Sequence, residues 1–290
     1  MKYSLLLSLL LGTSLLAQEP DSSSAIFSMR EAERNFAKAS ASIGRNSSFA
    51  EYFAEKSFIY TNHWLTNGKQ YSMERKASPV VLKWEPEFMD IAASGNFGVS
   101  TGPWEAQEYR PNTAPVATGY FLTVWKKQPG GQWRVLLDGG SETPVTKNLN
   151  HSFSFPAGAD NIADNTVINN AGISSTDLSE VEKQLMTEWS KKPVPEAYLP
   201  FLAVNSRIQL KGHLPTTDRD SICSMLAGLN KTTVWRTKGY EIASSGDMGF
   251  TYGILLTNGD NVSEKGHYVR IWKKLTGQAW KIMIEMINPD

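Results

Sequence analysis

Along residues 119–138, apolar and polar positions alternate on both sides of a short glycine-containing turn, and the pattern returns at 266–285. Alternation around such a turn predicts a β-hairpin. Trp125 and Trp133 recur as Trp272 and Trp280, both 147 positions on. With Gln128–Gly131 as the loop, Lys127 lies opposite Gln132. One face of the first hairpin then carries Tyr120, Leu122, Val124, Trp133, Val135 and Leu137. The other carries Phe121, Thr123, Trp125, Arg134, Leu136 and Asp138. The second hairpin divides into an apolar face (Val269, Ile271, Trp280, Ile282, Ile284) and a mixed one (Tyr268, Arg270, Trp272, Lys281, Met283, Glu285). A face so apolar predicts a cover of helices or a second sheet.

The rest of the chain repeats too. Ser28 and Glu31 have capping-box spacing, and Met29, Ala32, Phe36, Ala39 and Ile43 follow at helical intervals. Phe49, Tyr52 and Phe53 suggest a second short helix. Ser57–Thr61 reads as a strand, Asn67-Gly68 as a turn, and Tyr71–Ala77 as a helix stopped by Pro79. Strands follow near Phe88–Ala93, Phe97–Thr101 and Trp104–Tyr109, before the hairpin. Asp177 and Glu180 restart the order. Leu178, Val181, Leu185 and Trp189 make a stripe, Tyr198–Leu202 matches the short helix, and Thr217 and Asp220 open a helix to about Leu226. Ser245-Gly-Asp-Met-Gly249 matches Ser94-Gly-Asn-Phe-Gly98. A period this long makes each unit a domain, and helices before strands predict α+β. The boundaries are a first domain at 22–146, a linker at 147–175 rich in Asn, Asp, Ser and Gly, and a second domain at 176–290. His151–Pro156 in the linker could dock on a neighbouring surface.

Composition narrows the setting. The 290 residues hold 29 basic and 29 acidic side chains, so no charge surplus points to nucleic acid. Met1–Ala17 has the form of a secretory signal: Lys2, an apolar run from Leu5 to Leu11, and Ala17 at the cleavage position. The run is short for a membrane span, so the expectation is a secreted or periplasmic protein that leaves the membrane after cleavage. Cys223 is the one cysteine, which rules out an intrachain disulfide.

Four segments carry a family resemblance: Trp84-Glu-Pro-Glu-Phe88, Ser94-Gly-Asn-Phe-Gly98, Thr101-Gly-Pro-Trp-Glu105 and the Val124-Trp-Lys-Lys hairpin. They resemble the SnoaL-like, ketosteroid-isomerase-like branch of the nuclear transport factor 2-like superfamily, and within it the bacterial domain of unknown function 4440. The second unit lacks the Trp-Glu-Pro and Gly-Pro-Trp elements. The resemblance implies two tandem cone-shaped domains, each a curved antiparallel sheet wrapped around N-terminal helices with a cavity at its open end. Members include isomerases, cyclases, dehydratases and epoxide hydrolases beside non-catalytic domains, so the fold does not choose an activity.

Asp138 and Glu285 end the last strand of each unit. Asp138 can serve as a general base with Tyr120 as its hydroxyl partner, or be a solvated acid at a strand end. Opposite Phe121 its pKa would rise. Tyr60, Tyr71, Trp84 and Phe121 are the candidate ligand-binding residues, with half-buried wall positions as the plainer role. Asp90 and Glu241 match between units and read as exposed strand starts. Lys126 opposite Trp133 offers a cation–π contact. His63, His151, His213 and His267 lack metal-ligand spacing. Gly98-Val-Ser-Thr-Gly102 lies within a strand, which excludes a nucleophile elbow. No phosphate loop occurs, so neither metal nor cofactor is expected. Three functions stand: binding of a small, largely apolar molecule in the first domain; a cofactor-free isomerase, cyclase or hydrolase using Asp138 and a Tyr; and a structural or protein-interaction module. The family's habit of back-to-back pairing implies an internal pseudo-dimer, monomeric in solution. Its opposed faces would hold Phe121, Trp125 and Leu136 against Tyr268, Trp272 and Met283, with Arg134, Arg270 and Lys281 as rim.

Overall fold

The structure, a computed structural model, describes residues 22–61, 64–109, 114–145, 175–230, 233–257, 263–274 and 278–290. The signal segment, His63, His151 and the linker up to 174 lie outside the described residues.

In the first half, α1 (Ser22–Ile43) and α2 (Arg45–Tyr52) precede β1 (Phe53–Thr61), β2 (Trp64–Asn67) and α3 (Gly68–Glu74). Then come β3 (Val80–Trp84), β4 (Phe88–Ile91), β5 (Phe97–Glu108), β6 (Ala117–Lys127) and β7 (Trp133–Thr143). The second half runs α4 (Ser175–Lys191), α5 (Val194–Tyr198), β8 (Leu202–Leu210), α6 (Arg219–Asn230), β9 (Thr233–Ile242), β10 (Met248–Thr257), β11 (Glu264–Lys273) and β12 (Lys281–Pro289). The fold is α+β. One sheet has the order β2-β1-β7-β6-β5-β3, with β4 also on β5, and the other β8-β12-β11-β10-β9. Both sheets are mixed rather than wholly antiparallel, because β1 runs parallel to β7 and β8 parallel to β12.

Several elements differ from the sequence pattern for local reasons. Helix α1 starts at least one turn before Ser28, which is therefore no cap. Its hydroxyl instead bonds Ala25 O and receives Trp133 Nε1 at 2.9 Å. Asn67 is the cap of α3, accepting from Gln70 N at 2.8 Å, and Asp218 accepts from Ser221 N at the start of α6. Strands β3 and β8 carry no clear alternation and were not anticipated, while β5 is continuous where two strands were expected.

The hairpin register carries the largest correction. Lys127 pairs with Trp133, and a bulge between Val124 and Trp125 makes Thr123, not Phe121, the neighbour of Asp138. The second hairpin bulges at the matching place, so Arg270 lies beside Glu285. An extra residue on one strand turns the faces over beyond it. Trp125, Trp133 and Val135 therefore point with Phe121 toward the helices, and Leu136 joins Leu137, Leu122 and Val124 on the opposite face. The cation–π partner of Trp133 is accordingly Lys127, with Nζ 5.8 Å from the ring centroid.

The two sheets meet back to back. Phe97, Val99, Leu122, Val124 and Leu137 of one pack against Met248, Phe250, Val269, Ile271, Ile284 and Met286 of the other. These are the apolar faces, not the mixed faces expected to be opposed. Trp125 and Trp272 are both wholly buried beneath their own helices. Polar contacts edge the seam. Lys273 Nζ reaches Asp90 at 3.2 Å and Ile91 O at 2.8 Å, and Lys126 pairs with Glu241 at 2.6 Å. Ala93 N donates to Asp247 at 3.0 Å, and Asn288 Nδ2 donates to Gly140 O at 2.9 Å. Asp90 and Glu241 are thus seam residues rather than exposed strand starts. A Cβ on Gly139 would stand 2.5 Å from Met286 Cε, so a side chain there would push the end of Met286 aside in the seam.

Burial of this seam predicts that Phe250→Ala, at a fully buried ring, lowers unfolding free energy in urea by about 3–5 kcal/mol. A loss below about 1 kcal/mol contradicts a packed seam.

Candidate functional site

The site grows from one buried acid. On α1 the inward stripe is Ile26, Met29, Glu33, Phe36 and Ser40, with Glu33 wholly buried. A carboxyl in such a place needs donors. Trp84 Nε1 donates to Oε1 at 2.6 Å, Trp125 Nε1 donates to Oε2 at 2.7 Å, and Ser100 Oγ also donates to Oε2. Burial raises the Glu33 pKa against these three bonds. Glu33 thereby ties α1 to β3, β5 and β6.

Beside it the first half forms a half-open cavity of about 350 Å3. Phe36, Phe49, Trp84, Trp104 and Phe121 supply aromatic walls, and Arg45, Asn46, Tyr71, Arg75, Glu142, Thr123 and Asp138 supply polar positions. Asp138 stands in the sheet, paired on one side with Thr123 and on the other with Ile59. Thr123 Oγ1 donates to its Oδ1 at 2.7 Å. Burial, together with the nearby Glu33, lifts its pKa from 3.8 to about 7, and the Thr123 bond only partly offsets this. Asp138 is therefore a carboxyl poised near neutrality in a largely apolar cavity.

Arg45 and Arg75 come from the helical side. Asn46 links that corner by donating to Arg75 O at 2.8 Å, and the Arg75 guanidinium lies 5.1 Å from the Tyr71 ring centroid. Burial and the charge of Arg75 lower the pKa of Arg45.

Of the expected site residues, Asp138, Tyr60, Tyr71, Trp84 and Phe121 line this cavity and Tyr120 does not. Tyr120 follows the pleat to the opposite face, where it neighbours Glu87 and Arg207, and burial raises its pKa to about 12. It cannot partner Asp138. Tyr60 borders the cavity but turns its side chain to the seam, where the hydroxyl donates to Gly253 O at 3.1 Å and the ring stacks on His267 at 4.0 Å. The Trp84 ring is fixed by its bond to Glu33. Glu33, Arg45 and Arg75 were missed. The recurrence of Glu33 as Glu182, each an acid within an otherwise inward apolar stripe, was the available signal.

The second half answers the same problem differently. Glu182 takes the place of Glu33, Thr251 of Ser100 and Trp272 of Trp125: Trp272 Nε1 donates to Thr251 Oγ1, which donates to Glu182, each at 2.9 Å. Where the first half has Thr123, the second has Arg270. Its guanidinium donates to Glu182 at 2.5 Å and to Glu285 at 2.6 Å, and no part of it is exposed. Rings enclose it, with centroids at 4.2 Å (Tyr268), 4.4 Å (Trp235) and 5.9 Å (Tyr198). Although burial opposes its charge, Glu182 and Glu285 hold its pKa above the ordinary value. Glu285 is thus a buried ion-pair member, not a strand-end acid. Among the described residues no group of three or more His, Cys, Asp or Glu could hold a metal, and no helix is long and apolar enough to cross a membrane.

No family model matches the chain, and no curated protein matches it. Solved structures do. A nuclear transport factor 2-like superfamily protein from Salmonella enterica shares 17% identity over 46% of this chain and 100% of its own, with a TM-score of 0.35. One described as a putative ketosteroid isomerase from Shewanella frigidimarina shares 18% over 38% and 94%, with a TM-score of 0.30. A nuclear transport factor 2-like protein with a cystatin-like fold from Novosphingobium aromaticivorans shares 13% over 47% and 86%, with a TM-score of 0.34. The likeness is one of fold.

Two outcomes follow from these electrostatics. Arg270→Met leaves two buried carboxyls without their cation and lowers stability by about 3–5 kcal/mol. The loss is smaller at pH 5 than at pH 8, because burial already raises the pKa of Glu285 and its protonated form is more cheaply held at the lower pH. An unaltered denaturation midpoint at pH 8 contradicts the ion-paired network. Asp138 has a folded pKa above its unfolded one. Its contribution is therefore fully present below about pH 4 and is lost as pH rises through about 7. Asp138→Asn removes that part of the pH dependence between 4 and 7, and identical stability–pH profiles for the two proteins contradict the assignment.

Proposed function

We propose that this is an exported protein whose first domain binds a small, largely apolar molecule, with Asp138 as the polar anchor. The observation that carries the reading is the cavity itself, of a size suited to a small ligand and largely apolar, with aromatic rings in its wall beside one poised carboxyl. The division between halves supports it: the corresponding space in the second domain is taken up by Arg270 and its partners. The second domain then serves as a structural buttress through the apolar seam, and the chain works as a monomer of two tandem domains. Export rests on the Leu5–Leu11 run and Ala17.

A second reading is favoured by one observation, the rise of Asp138 to about 7. A carboxylate of that basicity suits proton abstraction or transfer near neutral pH, so the same cavity can serve a cofactor-free isomerase, cyclase or hydrolase. Tyr71, which also lines the cavity, is the hydroxyl candidate in place of Tyr120.

Native mass spectrometry of protein purified from its own host tests the binding reading. A co-purified small molecule is expected on the full chain. It should be lost when the cavity is blocked by Phe121→Trp, with the protein's folded charge-state distribution unchanged. A ligand retained equally by that variant places binding elsewhere. Under the catalytic reading, turnover of a bound ligand rises with pH through about 7 and disappears in Asp138→Asn; turnover persisting there rules out Asp138 as the base.

A further inference from the structure

The second domain contains a worked example of what fits the first. Three ring positions surround the Arg270 guanidinium, namely Tyr198, Trp235 and Tyr268. The strand registers place their counterparts at Phe49, Trp84 and Phe121: Leu202 pairs with Ile282 as Phe53 pairs with Val135, Trp235 pairs with Leu255 as Trp84 pairs with Trp104, and Arg270 pairs with Glu285 as Thr123 pairs with Asp138. All three counterparts line the first cavity. The two acids are kept as well, Glu33 for Glu182 and Asp138 for Glu285. What is not kept is the cation. Thr123 stops at a hydroxyl, and the volume a guanidinium fills in one half is open in the other.

We propose that the first cavity takes a small molecule whose apolar body carries a compact cationic head, a guanidinium, amidinium or ammonium, seated on Asp138 against the Trp84 and Phe121 rings. This rests on the reading of the cavity as a binding site and names the chemical class that the site takes. Ring faces attract cations, most strongly where water is excluded, and a charge-assisted bond to a carboxylate is about twice as strong as a neutral one. Glu33 is already occupied by Trp84, Trp125 and Ser100; of the two acids that line the cavity, Asp138 and Glu142, Asp138 holds the position that Glu285, a partner of the Arg270 guanidinium, holds in the second half. The cavity's own cations, Arg45 and Arg75, stand on the helical side. They disfavour a second positive group there, so the head is monovalent and the remainder of the molecule apolar or acidic.

The test uses the full chain and three probes of similar shape: benzamidine, benzoate and toluene, each titrated calorimetrically at pH 8. Benzamidine should bind with one site per chain, and benzoate and toluene at least about tenfold more weakly. Asp138→Asn should weaken benzamidine at least about tenfold and leave toluene unchanged. Thr123→Arg, which places in the first domain the side chain that plugs the second, should abolish benzamidine binding while raising the thermal midpoint. If that variant fails to fold, Asp138→Asn decides alone. Toluene or benzoate binding as tightly as benzamidine overturns the cation inference while the binding site stands. Failure of all three probes counts against the cavity as a binding site, and the inference falls with it.

Discussion

A carboxyl taken out of water must find donors, a counter-charge or a proton. Each half of this chain places two acids beneath its helices, one from the first long helix and one from the last strand. Glu33 and Glu182 are held through a tryptophan and a hydroxyl on neighbouring strands, which fixes helix against sheet. The second acid is where the halves part. Glu285 has Arg270, and the space around it is filled. Asp138 has Thr123, keeps a pKa near neutrality, and looks into an open cavity. One position on one strand thus separates a packed interior from an open one.

The arrangement depends on a bulge in each hairpin. Without the extra residue, the strict alternation read from the sequence would put Trp133 and Val135 on the seam and Leu136 beneath the helices. With it, the apolar residues of both sheets collect on one face and meet each other, while the mixed residues collect around the acids. The interface and the cavity thus occupy opposite faces of the first sheet. The sheets pair through Val124, Ile271 and their neighbours, and the Asp138 and Arg270 faces turn inward to separate interiors.

Much of this was legible in the sequence. The α+β class, the two units and their helix-first order followed from the periodicities and from the paired tryptophans. Asp138 and Phe121 were chosen from residue type and strand position, Tyr71 and Trp84 from residue type, and the cavity gathers them. Faces beyond the turn were not legible, because a bulge leaves no mark in an alternating pattern of Leu136 and Leu137 or Met283 and Ile284. Tyr120 was misplaced because neighbouring residues on a strand point to opposite faces. Tyr60 was misplaced in part, since its hydroxyl is claimed by Gly253 from the other half, a contact 193 residues away in sequence. Glu33 was passed over because an acid in a helix usually faces water.

The central claim is that the first half holds an acid lacking the cation its counterpart has. The 13C chemical shift of the Asp138 carboxyl, followed against pH in the unaltered protein and in Thr123→Arg, tests it most directly. The account predicts a midpoint near 7 in the unaltered protein and a fall to or below the ordinary 3.8 once a guanidinium stands beside it. A midpoint near 4 in the unaltered protein, or one that Thr123→Arg leaves in place, contradicts it.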